Sequence, residues 1–255
     1  MVKEHPLLLK PWLAQAAFEG RKTQTRRPVP AKLHELIENM GAEPEAETPA
    51  SRWAYCAFEY NTCTDDDGKV SAPQWLVYNT ECEEEGVISL GQHTHGRPGD
   101  RVWVRETHDV IWGQTHGFLI GVDYLGAHVK GGHQWRMKDI DGMRKWTPSI
   151  HMKREHCRTV AEVKAAYFQP IQDISSKDAI AEGIECVTNM AGVKCMAWRD
   201  YSIPSHCAPS YFHESDFGER AAILSFASIW KSCYGQEAWD NNPMVYVTEF
   251  KRIEA

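Results

Sequence analysis

The sequence predicts an α+β fold, a small mixed or antiparallel β-barrel with peripheral helices. Three observations lead there. Two segments, 99–106 and 157–168, alternate with the period of a strand. One segment, 219–234, repeats its apolar residues with the period of a helix. The resulting order is helix, strands, short helix, long helix, strand, which is not the regular alternation of a doubly wound sheet. The 255 residues are 42% hydrophobic, enough to bury a core, and ten Trp, nine Tyr and eight Phe exclude disorder of the whole chain. A single domain over 1–255 is expected, with insertions at 31–90 and 186–218.

Residues 7–20 read as the first helix: Leu9, Trp12, Leu13, Ala16 and Ala17 fall near one face, and Gly20 is placed to stop it. The basic stretch Gly20-Arg21-Lys22-Thr23-Gln24-Thr25-Arg26-Arg27 follows, closed by Pro28 and Pro30. A residue before proline avoids helical geometry, so this stretch reads as a turn leading into extended chain. Residues 31–50 hold a short helical patch (Leu33, Leu36, Ile37, Met40) and then an acidic, Pro- and Ala-rich run. Residues 51–90 mix aromatics with the turn signal Asp65-Asp66-Asp67-Gly68 and read as some strands of the first insertion.

In 99–106, Val102 and Val104 share a face with Glu106, while Arg101, Trp103 and Arg105 share the other. In 157–168, Thr159, Ala161, Val163, Ala165 and Tyr167 oppose Arg158, Glu162 and Lys164. Ser175 reads as an N-cap with Asp178 three residues on, heading a short helix through Ala179, Ile180 and Glu182 that Gly183 ends. Residues 186–215 read as irregular. In 219–234, Ile223, Phe226, Ala227, Trp230 and Tyr234 form one face, and Gly235 follows. After Asn241-Asn242-Pro243, Met244 to Phe250 reads as the last strand.

Lys plus Arg number 28 and Asp plus Glu 35, so the formal charge is 28 − 35 = −7. That argues against a protein coating long nucleic acid, and it leaves room for a local basic pocket. No apolar run approaches the ~20 residues that span a bilayer. Leu7-Leu8-Leu9 is too short for a signal-peptide core, so a cytoplasmic protein away from membranes is expected. Eight Cys at irregular spacing, without any CxxC pair, read as reduced thiols packed as small apolar groups. His93 and His95 with Cys82, and Cys186, Cys195, His206, Cys207 and His213, lack the paired spacing of structural zinc sites, so neither metal nor cofactor is expected.

Five groups of residues are able to carry chemistry. In the basic stretch, Lys22 stands three residues before Thr25, so its amine can reach the hydroxyl, and Arg21, Arg26 and Arg27 supply a field that favours the free amine. The alternative is a solvated basic turn or a phosphate-binding loop. Glu182 ends a short helix that otherwise carries Ile180 and Ile184. A carboxylate beside apolar groups suits proton transfer, and the alternative is a surface residue. Glu106 shares the face of Val102 and Val104. That placement is costly unless the carboxylate is paired, with Lys22 or Arg26 as the pairing that would matter to function. In 145–154, Trp146 offers a stacking face and His151, Lys153 and Arg154 offer donors, a mixture suited to a base with its sugar or phosphate; the alternative is an ordinary loop. The fifth is the Cys and His set just described. GxSxG, P-loop and GxGxxG motifs are absent from the sequence.

Gly20-x-Lys22-x-x-Thr25-x-Arg27 resembles the signature of the ASCH domain, a member of the PUA-like superfamily. Gly99-Asp100-Arg101-Val102-Trp103-Val104-Arg105-Glu106 resembles that family's second block, residues 171–184 its third, and Val245 to Phe250 its last strand. Longer members that also carry a Lys-Trp-Thr-Pro-Ser-Ile-His-Met block, as at 145–152, are similar to proteins found in phages and prophages. The resemblance implies a PUA-like barrel that cradles a nucleotide or RNA. One branch of small ASCH proteins hydrolyses N4-acetylcytidine with a Lys, a Thr and a Glu, which fall here on Lys22, Thr25 and Glu182. This chain is about twice the length of that branch, which bears on the substrate more than on the fold.

The expected function is therefore amide hydrolysis on an acylated cytosine base, nucleoside or nucleotide. Lys22 is the expected base, Thr25 the nucleophile or the holder of the attacking water, and Glu182 the acid that protonates the leaving amine. Arg26, Arg27, Trp103, Arg105, Glu106, Trp146, His151 and Arg154 are the expected substrate-binding residues. A non-catalytic module for RNA or modified nucleic acid, or a ribonuclease, is the alternative.

Overall fold

The computed structural model describes residues 2–29, 56–62, 64, 67–71, 74–79, 87–91, 96–112, 119–128, 146–188, 194–203 and 207–253. In chain order the elements are β1 (Glu4–Leu8), α1 (Pro11–Phe18), β2 (Gln24–Pro28), β3 (Cys56–Asn61), β4 (Gln74–Asn79), β5 (Val87–Gly91), β6 (Arg101–Arg105), β7 (His108–Trp112) and β8 (Leu119–Tyr124). They continue as α2 (Leu125–His128), β9 (Val160–Pro170), α3 (Ser176–Ala181), β10 (Cys186–Thr188), β11 (Lys194–Asp200), β12 (Ser210–His213), α4 (Glu214–Phe217), α5 (Arg220–Tyr234), α6 (Gln236–Asp240) and β13 (Met244–Ile253).

The largest sheet has the order β1-β6-β9-β13-β2, with β1 parallel to β6 and the other pairs antiparallel. Strands β3-β4-β5 and β10-β11-β12 make two three-stranded sheets, and β7-β8 a hairpin pair. The predicted α+β class is found. The predicted barrel is not, because the sheets do not close: β1 and β2 remain separate edges. Each edge strand contains a proline, Pro6 in β1 and Pro28 in β2, and proline has no N–H to offer a further strand. A side chain spans the gap instead, with Arg27 Nη2 donating to the Leu8 carbonyl.

Strand register divides the five-stranded sheet into two faces. Leu7, Val102, Val104, Ala161, Val163 and Phe250 are buried on one face. Ala14 and Ala17 of α1 pack over its β1-β6-β9 half. The register shift between Glu249 and Phe250 puts Val245 and Val247 on the other face with Trp103 and Arg105, and there Trp12, Ala179 of α3, and Phe226, Ile229 and Trp230 of α5 pack with the two valines. The first face continues through Ala166, Phe168, Tyr246, Thr248, Thr25 and Arg27. There Trp75 of β4 meets Phe168 and Tyr246 edge-on, 5.4 and 6.0 Å between ring centres.

The first helix begins at Pro11 and not at residue 7. Pro11 occupies its first turn and holds Lys10 extended (ψ 151°), so the leucine run cannot be helical and Leu7 enters β1. The basic stretch does lead into a strand, β2. The helical patch at 31–50 lies outside the described residues, while 51–90 contributes β3, β4 and β5. Parity in β6 is as expected, with Val102, Val104 and Glu106 buried. Residues 186–215 are not irregular: they contain β10, β11 and β12, which are three to seven residues long and too short to show a period. The α5 helix buries a wider face than predicted, adding Ala221, Ala222, Ser225, Ser228 and Ile229, while Tyr234 is exposed. Strand β13 runs on to Ile253. Among the described residues no helix is long and apolar enough to cross a membrane.

Candidate functional site: a buried lysine–glutamate centre beneath the helices

Two helix ends place Lys22. Gly20 takes the left-handed φ of +75° that ends α1, and the Arg21 and Lys22 amides both return to the Ala16 carbonyl at 2.9 and 3.0 Å. Ser175 caps α3 as predicted, its hydroxyl accepting from the Asp178 amide at 3.1 Å. That helix ends at Glu182, and Gly183 turns away with φ +89°. A Cβ on Gly183 would stand 2.9 Å from Cβ of Lys22, so the close approach of the two segments needs glycine as much as the turn does. The Thr23 amide then donates to the Ala181 carbonyl at 2.8 Å, joining the two segments.

Lys22 is 2% exposed and Glu182 5%. Lys22 Nζ donates to Glu182 Oε2 at 2.7 Å, to the Glu182 carbonyl at 2.9 Å and to the Gln24 carbonyl at 2.7 Å, which uses all three ammonium protons. Arg26 Nη1 donates to Glu182 Oε1 at 3.1 Å and to Gln24 Oε1 at 2.9 Å. Gln24 Nε2 in turn donates to Asp178 Oδ1 and Glu249 Oε1, and the Tyr167 hydroxyl also donates to Glu249 Oε1. Burial pushes the Lys22 pKa below its ordinary value. The Glu182 carboxylate opposes that shift, and the Arg27 and Arg26 cations add to it. The expected lowering is thus present, but its first cause is burial and not the neighbouring arginines. Burial and the Glu249 carboxylate push the Tyr167 hydroxyl up to about 12.

Glu182 faces an ammonium and a guanidinium, not the apolar groups the sequence suggested. Arg26 is likewise enclosed, its charge spent on Glu182 and, at 3.6 Å, Asp178. It holds the carboxylate in place and presents no free edge to a substrate. Gln24, Asp178, Glu249 and Tyr167 were not read as site residues. A signal existed for Glu249, the single acid inside the apolar run Val245 to Phe250, and for Gln24, two residues from Lys22 in the basic stretch.

Thr25 is 3% exposed, and alternation along β2 turns it to the face opposite Gln24 and Arg26. The Lys22 amine lies against the peptide that links Gln24 to Thr25. On the same face Thr248, paired with Thr25, is fully buried with its hydroxyl unpartnered. Arg27 also lies there, while Arg105 lies on the other face; each has a buried Nε that has no partner. Arg105 Nη2 donates to the Ile150 carbonyl, and its guanidinium stands 5.5 Å from the Trp103 ring.

The remaining predicted residues sit elsewhere. Glu106 is fully buried, but it pairs with neither Lys22 nor Arg26. Arg158 takes it in a two-pronged bond, Nε to Oε1 at 2.9 Å and Nη2 to Oε2 at 2.8 Å. The same guanidinium is sandwiched 4.3 Å from both Phe18 and Tyr124 and reaches Gln15, so the pair pins α1 to the end of β6. Trp146 is packed in the core with Trp12 and Leu125 and offers no open stacking face. Arg154 is committed to Glu4 at 2.8 Å. His151 is exposed on the short turn Ser149–His151.

Cys157, Cys186, Cys207 and Cys233 are free thiols. Cys186 is half-buried and packs against the main hydrophobic cluster as expected, Cys157 is half-buried, and Cys207 and Cys233 are exposed. Among the described residues no three His, Cys, Asp or Glu are grouped to hold a metal, and Cys82, His93, His95 and His206 lie outside those residues. No protein-family model matches the chain, and no curated protein or solved structure matches it either.

Proposed function

We propose that this chain is an amidohydrolase on a PUA-like scaffold that removes an acyl group from the exocyclic amine of a modified cytosine. The observation that carries this reading is the buried Lys22–Glu182 pair, 2.7 Å apart, in which burial disfavours the charged amine. Burial in that way favours the free amine, the form that accepts a proton. Lys22 takes the proton of the Thr25 hydroxyl, or of a water that Thr25 positions. The oxygen attacks the acyl carbon, and the proton passes from Lys22 to Glu182. The bond from acyl carbon to exocyclic nitrogen then breaks as Glu182 delivers the proton to that nitrogen. If Thr25 is the nucleophile, water hydrolyses the resulting ester. One water is consumed, and a carboxylic acid and a free amine are released. The resemblance to the ASCH signature supports the cytosine substrate.

The test is incubation with N4-acetylcytidine, with cytidine and acetate followed by chromatography. Lys22→Met, Thr25→Val and Glu182→Gln are each expected to lower turnover by at least ~10²-fold. The double variant Lys22→Met/Glu182→Gln should be little worse than either single, because groups acting as one unit are not additive. Wild-type protein that releases no cytidine, or folded variants that all hydrolyse normally, would overturn the reading. The non-catalytic alternative, a module that binds RNA or modified nucleic acid, draws support from Arg27 and Arg105, each of which keeps an Nε without a partner. It takes over if the variants lose affinity for nucleic acid and no hydrolysis is ever seen.

A further inference from the structure

We infer that the open half of the sheet face bearing Trp103 is a homodimer interface, where two copies of this chain pack β1, β6, β9 and β13 face to face about a two-fold axis. The inference does not depend on the proposed function. At the Val245 and Val247 end, α3 and α5 cover this face. On the other side of the register shift at Glu249 and Phe250, strand pairing sets its side chains in rows across four strands. One row is Pro6, Trp103, Val160 and Ile253, and the next is Glu4, Arg101, Glu162 and Lys251. Pro6, Glu4, Arg101 and Lys251 are exposed, and Trp103, Glu162 and Ile253 are half-buried. Leu8, 37% exposed, and Ile150, 56% exposed, widen the apolar row on either side of Arg105. An apolar band around a tryptophan, rimmed by charges and open to solvent, has the make-up of a protein interface.

The charges select the occupant. Across the strands the second row runs negative, positive, negative, positive. Consider a two-fold axis in the plane of the interface, parallel to the strands and between β6 and β9. It sets β1 opposite the other copy's β13, and β6 opposite the other copy's β9. Glu4 then faces the partner's Lys251, and Arg101 faces the partner's Glu162. Symmetry repeats both contacts, so all four join opposite signs, which is the self-complementarity a two-fold interface requires. The same rotation lays Pro6 on the partner's Ile253 and Trp103 on the partner's Val160, apolar on apolar. Two twisted sheets stacked with their strands nearly aligned is a common packing. Glu4 is also held by Arg154 at 2.8 Å, and Glu162 by Lys164 at 2.7 Å. A carboxylate accepts up to four hydrogen bonds, so each has room for a second cation. A nucleic-acid strand fits this face poorly, because carboxylates alternate with the cations that its phosphates would need.

Sedimentation velocity of the full chain from about 5 to about 200 µM tests this, and the wild type is expected to pass from monomer to dimer over that range. Arg101→Glu and Glu162→Lys should each be monomeric throughout, since each sets like charges opposite one another at two symmetric contacts. An equimolar mixture of the two variants should dimerise again, because every contact between them joins opposite signs. Trp103→Ala should weaken the dimer about tenfold or more. Circular dichroism shows that each variant is folded, and the wild-type concentration series needs no variant at all. A wild type that stays monomeric at the highest concentration overturns the inference. So does a dimer that survives both charge variants, or a mixture that stays monomeric while the wild type dimerises. A monomeric wild type that binds a short single-stranded RNA, and loses it on Trp103→Ala, gives the face to nucleic acid and overturns the inference too. Lys22→Met should dimerise as the wild type does, so failure of the proposed chemistry and failure of the interface are read separately.

Discussion

Among the described residues, burial favours the uncharged forms of the bases His108 and Lys22. His108 is 2% exposed, with Nδ1 facing the Glu106 carbonyl at 3.2 Å and Nε2 facing Nδ1 of His156 at 3.4 Å. Burial is the first cause that lowers its pKa below 6.5, and nearby His156 adds to it, while the Glu106 carbonyl and Asp109 oppose. Below pH 6.5 the unfolded chain then binds the more protons. The stability this residue supplies is complete above pH 6.5 and is lost as the pH falls through the folded value. His108→Gln is expected to reduce the drop in melting temperature between pH 7.5 and 5.5 relative to wild type; parallel curves for the two proteins would disprove it. The histidine pair was not legible in the sequence, since its members stand 48 positions apart. Lys22 and Glu182 were legible singly, from residue type and from a helix end, but not their meeting across 160 positions. The pairing of Glu106 was misread for a definite reason. Alternation was extended back to Arg158, yet β9 begins at Val160, so parity says nothing of where Arg158 points.

At the scale of elements, packing decides where local pattern is ambiguous. The α5 helix was predicted from apolar spacing alone, and Trp230 does lie in the core with Phe226 and Ile229 of the same helix and Val245 and Val247 of β13. Trp230→Ala is expected to cost ~3–5 kcal/mol, the usual loss for a buried aromatic, with KM for any substrate unchanged. Chemical denaturation measures it, and wild-type stability in the variant would show that this helix does not carry the core. What the periodicity missed is the breadth of the buried face. Ser225 and Ser228 belong to it because Ser225 Oγ donates to the Arg199 carbonyl at 2.6 Å and Ser228 Oγ accepts the Tyr201 amide at 2.8 Å. Polar residues on a helix read as solvent-facing unless their partners are known, and these partners sit at and just past the end of a strand too short to see. Strand β1 was lost to the opposite error. Leu7-Leu8-Leu9 suits a helix by composition, and only the constraint that Pro11 places on Lys10 removes it.

Taken whole, the molecule does not separate into a core and appendages along the lines that length and irregularity suggested. The segment 186–218, expected as an insertion, supplies Trp198 to the main hydrophobic cluster, with Tyr201 and Phe212 packed against it. Tyr201 also stacks on Trp12 of α1, 4.6 Å between ring centres, and its hydroxyl accepts the Glu185 amide at 3.0 Å. Strands β10-β11-β12 thus brace both α5 and α1, the helix whose end places Lys22. Removing one buried aromatic costs ~3–5 kcal/mol, and this segment contributes the buried Trp198 and the half-buried Tyr201 and Phe212 against a total stability of ~5–15 kcal/mol for an ordinary domain. Their joint loss is comparable with the whole. A variant in which 186–213 is replaced by a short Gly/Ser linker is therefore expected to lose its cooperative melting transition and its near-ultraviolet aromatic signal altogether, not merely to melt some degrees lower. Dispensable insertions behave otherwise, because loop closure changes by only about 0.6 kcal/mol per doubling of loop length. A deletion variant with a sharp transition near the wild-type temperature would show that the five-stranded sheet and its helices fold without this brace, and that 186–218 is an appendage after all.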